Sequence, residues 1–293
     1  MGNVTDSRQG LVLALLAAFD DLDADDGPGP RPDSPAALEA TSYARPLSVQ
    51  TAYSYGVMAL ASARDHLEAV DLIVRCGQPS VAHWTSLRGL LEAASIASWL
   101  FAPTIVAHER VSRSLALRFS TFIQRRKIAS AEGDTAKIAA IDVRINDVEG
   151  IATSLGFAPI RNRNGVRDGI GQRKPQITEL AESEFDLRNM YRFLSSVAHC
   201  DSAVITELGF KRVAHDADGQ PLLQWDVSPA QLTLVLGNAL MLYARPLWMQ
   251  VTQYGFDRPR AAKALEIAYD HAGLAEAALL RSWRQNLGVP TGS

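Results

Sequence analysis

His83–Phe101 reads HWTSLRGLLEAASIASWLF. Almost every residue in this stretch is apolar or small, and the apolar positions run round most of the helical circumference. A helix that is hydrophobic on most sides belongs at the centre of a fold, wrapped by other elements. Ser80 can cap its start and Pro103 breaks the chain just past its end. Two charges interrupt it, Arg88 and Glu92, one turn apart on one face, with Ser95 and Trp99 continuing the stripe. Charges on a buried helix must be paired or neutralised. Arg preceding Glu is the less favourable order for a helical pair, so helix propensity does not account for them. Two readings stand side by side: an ion pair linking helices, or the polar floor of a pocket. Arg64, Asp65, His66 and Glu68 on the preceding helix are either neighbours of this pair or, for most of them, a plain exposed face.

Outward from this centre the pattern stays helical. Ser48 to Cys76 forms a helix stopped by Gly77, and Thr104 opens another that passes Arg126. Asp134 caps a fourth, ending near Gly156. Residues 156–175 are rich in Gly, Asn and Arg and read as a loop, and a helix spans about Phe185 to His199. Val204–Phe210 and Leu222–Val227 alternate like strands, with Asp216, Asp218 and Gly219 between them, which predicts a β-hairpin over about 203–227. Ser228–Pro229 starts a long helix to about Tyr254, with Gly255 at its C-cap, and a last helix covers about Pro259 to Asn286, interrupted at Gly273. The expectation is a mainly α protein: a multi-helix bundle with one small β-hairpin inserted before the two C-terminal helices.

At the N-terminus, Leu11 to Phe19 is a short apolar run, followed over residues 20–47 by an Asp-, Pro- and Gly-rich stretch. The expected organisation is an N-terminal helix with an acidic linker over 1–47 and a helical bundle domain over 48–293. The apolar run is too short to span a membrane and is flanked by acids rather than by a signal peptide's basic residues. Asp6 stands where a myristoylation motif needs Ser or Thr. With 47% hydrophobic and 21% charged residues the chain can build a real core. Cys76 and Cys200 are its only cysteines and lie in no ligand spacing, which fits a reducing, cytoplasmic compartment without membrane attachment. The net charge of −3 supplies no general attraction for nucleic acid, so any such partner needs a local patch.

Asp186–Cys200, DLRNMYRFLSSVAHC, supplies one. At ~100° per residue, Arg188, Arg192, Ser195 and His199 fall within about 60° of one another, opposite Leu187, Met190, Phe193, Leu194 and Val197. Arg192 and His199 are separated by about 10.5 Å along the axis, so their long side chains can converge on one phosphate. Imidazole titrates near neutrality and can take the proton of a ribose 2′-hydroxyl or protonate the leaving oxygen. Guanidinium can stabilise the charge that builds on phosphorus. A solvated or salt-bridged helix face has the same pattern. A second basic stretch, RNRNGVRDGIGQRK over 161–174, carries Arg161, Arg163, Arg167, Arg173 and Lys174 against Asp168 alone. It can clamp a phosphate backbone or be a solvated excursion. Arg125, Arg126 and Lys127 read as the solvent face of a helix, and His83, His108, His215 and His271 as isolated surface or capped histidines. The zinc-protease, P-loop, nucleophile-elbow and di-iron signatures are all missing, so no metal or cofactor is expected.

Taken together, LRGLLEAASIASWL and YRFLSSVAHCDS resemble a family of bacterial helical proteins of unknown function. The family is marked by an Arg-x-x-x-Glu helix and a Tyr-x-x-Leu-Ser-x-x-x-His segment. Arg88 and Glu92 match the first motif; Tyr191, Leu194, Ser195 and His199 match the second. The matched region, about Ala61 to Ser202, is roughly half the chain. More distantly, Arg192 and His199 resemble the Arg-x(4–6)-His motif of the HEPN superfamily, whose members include dimeric, metal-independent ribonucleases of toxin–antitoxin and antiphage systems. Phe193 follows Arg192 where active members carry a polar residue. The resemblance implies His199 as acid–base group and Arg192 as phosphate-binding cation, with RNA as substrate and a homodimer as the working form. The alternative is a non-catalytic helical module in which Arg88, Glu92, Tyr191 and His199 hold a small ligand or partner protein. In a third, purely structural reading, the same polar stripes are interhelical ion pairs.

Overall fold

A computed structural model describes residues 12, 15–17, 19–20, 27, 29–75, 81–216, 218–225 and 229–271. The described residues of the N-terminal run are helical, and Val12, Leu15, Leu16 and Phe19 are buried in the core. Their neighbour Asp20 forms a forked ion pair with Arg64, Oδ2 lying 2.9 Å from Nη2. The rest of the acidic stretch, 21–26, lies outside the described residues, as do Cys76, Gly77, Ser80, Ser228 and Gly273.

Part of the expected linker is a helix, α1 (Pro35–Ser42). Ser34 caps it by accepting the Ala37 N–H at 3.3 Å, and Ala36 and Ala40 face the core. Composition hid this helix, because most of what stabilises eight residues is tertiary contact rather than propensity. It leads into α2 (Pro46–Arg75) and α3 (Ala82–Phe101). As its sequence demands, α3 is central: α2 and α9 (Pro229–Tyr254) pack against it, and so do α6 (Ile177–Phe185) and α7 (Arg188–Ala198). The α2–α3 crossing is close because two glycines permit it. A Cβ on Gly56 would lie 2.9 Å from the Phe101 ring, and one on Gly89 only 2.4 Å from the His66 ring.

After the Pro103 break, α4 (Ala107–Ala131) starts three residues later than the expected Thr104, with Val106 as its extended N-cap. Asp134 caps α5 (Thr135–Ser154) as expected, accepting the Lys137 N–H at 2.8 Å. The stretch expected to be a loop over 156–175 contains an antiparallel hairpin, β1 (Pro159–Arg161) with β2 (Arg167–Ile170). Its turn is set by Asn162, whose Oδ1 accepts the N–H groups of Asn164 and Val166, a self-bonding turn typical of Asn.

The helix expected over Phe185–His199 is two helices. Asp186 adopts a left-handed conformation (φ 58°) that ends α6, and α7 begins at Arg188. Val204–Phe210 is not a strand. Asp201 accepts the Ala203 N–H and caps α8 (Ser202–Gly209), so a side-chain cap overrides the β-branched Val204, Ile205 and Thr206. The second hairpin therefore starts later, pairing β3 (Phe210–His215) with β4 (Pro221–Trp225). Its turn falls at the expected residues, with Asp216 Oδ1 accepting from Asp218 and Gln220 and Gly219 at φ 75°. α10 (Arg258–His271) packs on α9. The fold is thus mainly helical, as expected, with small hairpins attached. No helix among the described residues is long and apolar enough to cross a membrane.

Candidate functional site

α7 is positioned by its apolar side. Leu194 and Val197 are buried, and the Phe193 ring meets Trp84 of α3 edge-on, with centroids 5.4 Å apart. The residue that departs from the HEPN pattern is thus used to seat α7 on α3. Tyr191 adds a polar clamp one side-chain column away. Its hydroxyl accepts from Arg88 Nη2 at 3.4 Å and donates to Glu92 Oε1 at 3.2 Å, while Arg88 Nε donates to the same Glu92 oxygen at 3.0 Å. The Arg88 guanidinium also lies 5.6 Å from the Tyr191 ring centroid. The two sequence motifs, about a hundred residues apart, therefore meet in one closed triangle.

The triangle sits at the edge of the α3–α7 contact, with the Arg88 and Glu92 side chains 24% and 34% exposed. Burial pulls the Arg88 pKa down, but the Tyr191 hydroxyl and the Glu92 carboxylate outweigh it, and the group ends above its ordinary value. Arg88 is a fixed cation whose charge is spent on two internal partners. Of the candidate neighbours on α2, His66 packs over Gly89, whereas Arg64 turns away to Asp20 and Glu68 and Asp65 is exposed.

The outer face of α7 is different. Arg188, Arg192 and His199 are all exposed. Arg188 reaches back across the Asp186 turn to an ion pair with Glu182. Arg192 and His199 have no ion pair or side-chain hydrogen bond among the described residues. His199 is the C-cap, its N–H donating to the Ser195 carbonyl at 3.0 Å, and Cys200 beyond it turns the chain with φ 59°. Ser195 is half-buried between the clamp and this end.

Much of the basic stretch 161–174 is occupied internally. Arg161 donates to the Gly165 carbonyl at 2.7 Å, Arg167 pairs with Glu149 at 2.8 Å and Arg173 with Asp168 at 2.7 Å. Arg163 and Lys174 have no such partner among the described residues. The stretch packs against α4 through β2, an arrangement separate from the α3–α7 clamp.

The chain matches no family model, no curated protein and no solved structure. What the side chains can do is therefore read from their geometry.

Sequence reasoning missed two buried polar features. Arg110 is fully buried and saturated. Its guanidinium forks onto Glu39 of α1 at 2.9 and 3.2 Å, and it donates to the Leu100 and Ala102 carbonyls at the end of α3. It also lies 4.7 Å from the Tyr53 ring centroid, and the Tyr53 hydroxyl donates to Glu39 at 3.0 Å. Burial, with Glu39 beside it, holds that hydroxyl's pKa far above its ordinary value. The clue was that Arg110 shares a helix face with the apolar Leu117 two turns on, but its partner Glu39 lay in the presumed linker. His83 is the second. It is completely buried rather than at the surface, neither ring nitrogen has a hydrogen-bond partner, and burial lowers its pKa to about 4. Among the described residues, no three His, Cys, Asp or Glu side chains gather as a metal site would require.

Proposed function

We propose that the outer face of α7 is the phosphate-handling surface of a metal-independent endoribonuclease, with His199 as the acid–base group and Arg192 as the cation on the phosphate. The observation that carries this reading is the contrast within one helix. The inner side and Tyr191 tie α7 to α3, while Arg192 and His199 stand exposed and unbonded on its outside. A helix that holds out a free guanidinium and a free imidazole has the two groups that metal-free RNA cleavage needs.

In that reaction the ribose 2′-oxygen attacks the adjacent phosphorus and the bond to the 5′-oxygen breaks. The products are a 2′,3′-cyclic phosphate and a 5′-hydroxyl. One proton must leave the 2′-hydroxyl and one must reach the departing 5′-oxygen. Each copy of the chain supplies one such imidazole, so two copies facing one strand supply both base and acid. Arg192 donates two parallel N–H groups to the non-bridging oxygens as charge accumulates there. Arg188, held by Glu182, extends the positive edge along the strand. The working form is a homodimer in the cytoplasm, of the toxin or antiphage type that the HEPN resemblance implies.

The test is incubation of the purified protein with labelled RNA in excess chelator, beside His199→Ala and Arg192→Ala. Cleavage by the wild type, lost by about two to four orders of magnitude in His199→Ala, is the expected result. Cleavage that survives in His199→Ala overturns the assignment. The second reading is a non-catalytic module that binds a small ligand or partner protein beside the clamp. It is favoured by the closed Arg88–Glu92–Tyr191 triangle, which forms a rigid, polar, half-exposed surface without a free acid or base. RNA left intact by all three proteins moves the assignment to that reading.

A further inference from the structure

A cavity of about 340 Å³ opens between the start of α2 and the middle of α4, closed on one side by the end of α5. That volume lies within the range of small-molecule sites. Arg45 and Arg118 both line it, with Ser48 beside them and Leu47, Leu115 and Ile151 making much of the apolar wall. No carboxylate is among the lining residues.

Arg118 is the unusual member. Of the four other arginines of the same helix, Arg125 is exposed and three are engaged: Arg110 with Glu39, Arg113 with Glu109 and the Trp99 carbonyl, and Arg126 with Asp142. Arg118 is half-buried, yet its guanidinium has no ion pair or hydrogen bond among the described residues. The guanidinium of Arg45, exposed at the mouth, has none either. A guanidinium drawn away from water without an acceptor is unfavourable, and a bound anion relieves it. The first turn of α2 adds to the positive field, since it opens with Pro46 and contains no acidic residue.

The charge balance narrows the ligand. Two unpaired guanidiniums match a phosphate monoester, which carries about −1.5 to −2 at neutral pH, better than a single carboxylate. Much of the remaining lining is apolar and includes Leu47, which is 73% exposed, so the ligand needs an apolar body as well. We propose that this cavity binds a phosphate monoester bearing an apolar substituent, its phosphate held by Arg45 and Arg118 and its apolar part lying along Leu47, Leu115 and Ile151.

The probe is hexyl phosphate, titrated calorimetrically against the full chain beside inorganic phosphate and hexanoate. The wild type should bind hexyl phosphate at least about tenfold more tightly than either comparison compound. Arg118→Met keeps the apolar stem and removes the charge, and it should lose about tenfold or more in affinity. Arg45→Met, at an exposed position, provides the same loss in a variant whose folding is not in question. His199→Ala should bind as the wild type does, because α7 does not line the cavity. Vesicles of phosphatidylcholine with and without phosphatidic acid separate the sources. Arg118-dependent capture by the acidic vesicles assigns the ester to a lipid headgroup, and binding of hexyl phosphate without vesicle capture assigns it to a soluble compound. No binding of hexyl phosphate at about 1 mM overturns the proposal, as does wild-type affinity retained in both Met variants or inorganic phosphate binding as tightly as the ester.

Discussion

Arg110 and Arg192 are the same side chain in opposite circumstances. Arg110 is sealed inside, with its charge forked onto Glu39, its remaining donors on the carbonyls that end α3 and its face on Tyr53. Arg192 stands on the outer face of α7 and bonds to nothing described. A buried charge persists only when every donor is answered, so the Arg110 network belongs to architecture: it joins α1, α2, α4 and the end of α3. An exposed unpaired arginine contributes little to folding, which leaves Arg192 available to a partner from outside. The Arg88–Glu92–Tyr191 triangle lies between these extremes, half-exposed and internally satisfied.

The hardest way to break this comparison is at its buried end. Arg110→Met strands Glu39 and the α3 carbonyls, and removing one partner of a buried pair typically costs about 3–5 kcal/mol. The urea midpoint of the variant should fall by a corresponding amount. Adding Glu39→Gln should recover part of the loss, because the unpaired charge is then gone. A midpoint shift below about 1 kcal/mol would show that the network is not what fixes α1 against the end of α3.

His83 sharpens the comparison from another side, as a buried titratable group that nothing answers. Its pKa in the folded protein is about 4, set by burial, against 6.5 for an unperturbed imidazole. Between these values the unfolded chain binds the proton and the folded chain does not, so stability is lost as pH falls from about 6.5 toward 4. The loss is on the order of 3 kcal/mol by linkage. His83→Leu removes it, and thermal melts of the variant should decline less over that pH window than those of the wild type. Parallel declines would place the acid sensitivity in other groups.

These features differ in how far the sequence announces them. The central place of α3 was legible because its apolar residues cover nearly its whole circumference. The outward stripe of α7 was legible because amphipathic spacing needs no partner to be read. α1 was not legible, since Glu39, Ala36 and Ala40 gain their worth only from contacts with distant elements. α8 was misread because three β-branched residues outweighed one capping aspartate when propensity alone was considered. At the candidate site, Arg88, Glu92 and Tyr191 could be singled out by type and spacing. Their meeting could not, because Tyr191 and Glu92 are 99 residues apart and no local rule spans that distance. The basic stretch 161–174 looked more available than it is, since Glu149, the partner of Arg167, sits on another element.

A milder perturbation tests the middle of the scale. Tyr191→Phe keeps the ring against Arg88 and removes the hydroxyl that joins α7 to Glu92. The change should lower stability by about 1 kcal/mol, the usual net worth of such a bond. Arg88 and Glu92 keep each other, so the loss should not approach that at Arg110. A loss above about 3 kcal/mol would move the triangle to the architectural end of the comparison.

The smallest effect on folding is expected where the largest effect on function is proposed. Arg192→Ala removes a side chain with no internal partner, so its melting temperature and urea midpoint should match the wild type within about 0.5 kcal/mol. RNA affinity at low salt should nonetheless fall, and the salt dependence of binding should become shallower by about one counterion, as for any single phosphate contact. Arg188→Ala separates position from charge. Arg188 lies on the same face but is already paired with Glu182, so its loss should weaken RNA binding less than the loss of Arg192. If the two variants weaken binding equally, the face acts only through its summed charge and the distinction between paired and free arginines has no functional meaning. If Arg192→Ala destabilises the fold while leaving RNA binding intact, then Arg192 stands with Arg110 as a structural cation, and the surface for an external partner must be sought elsewhere on the molecule.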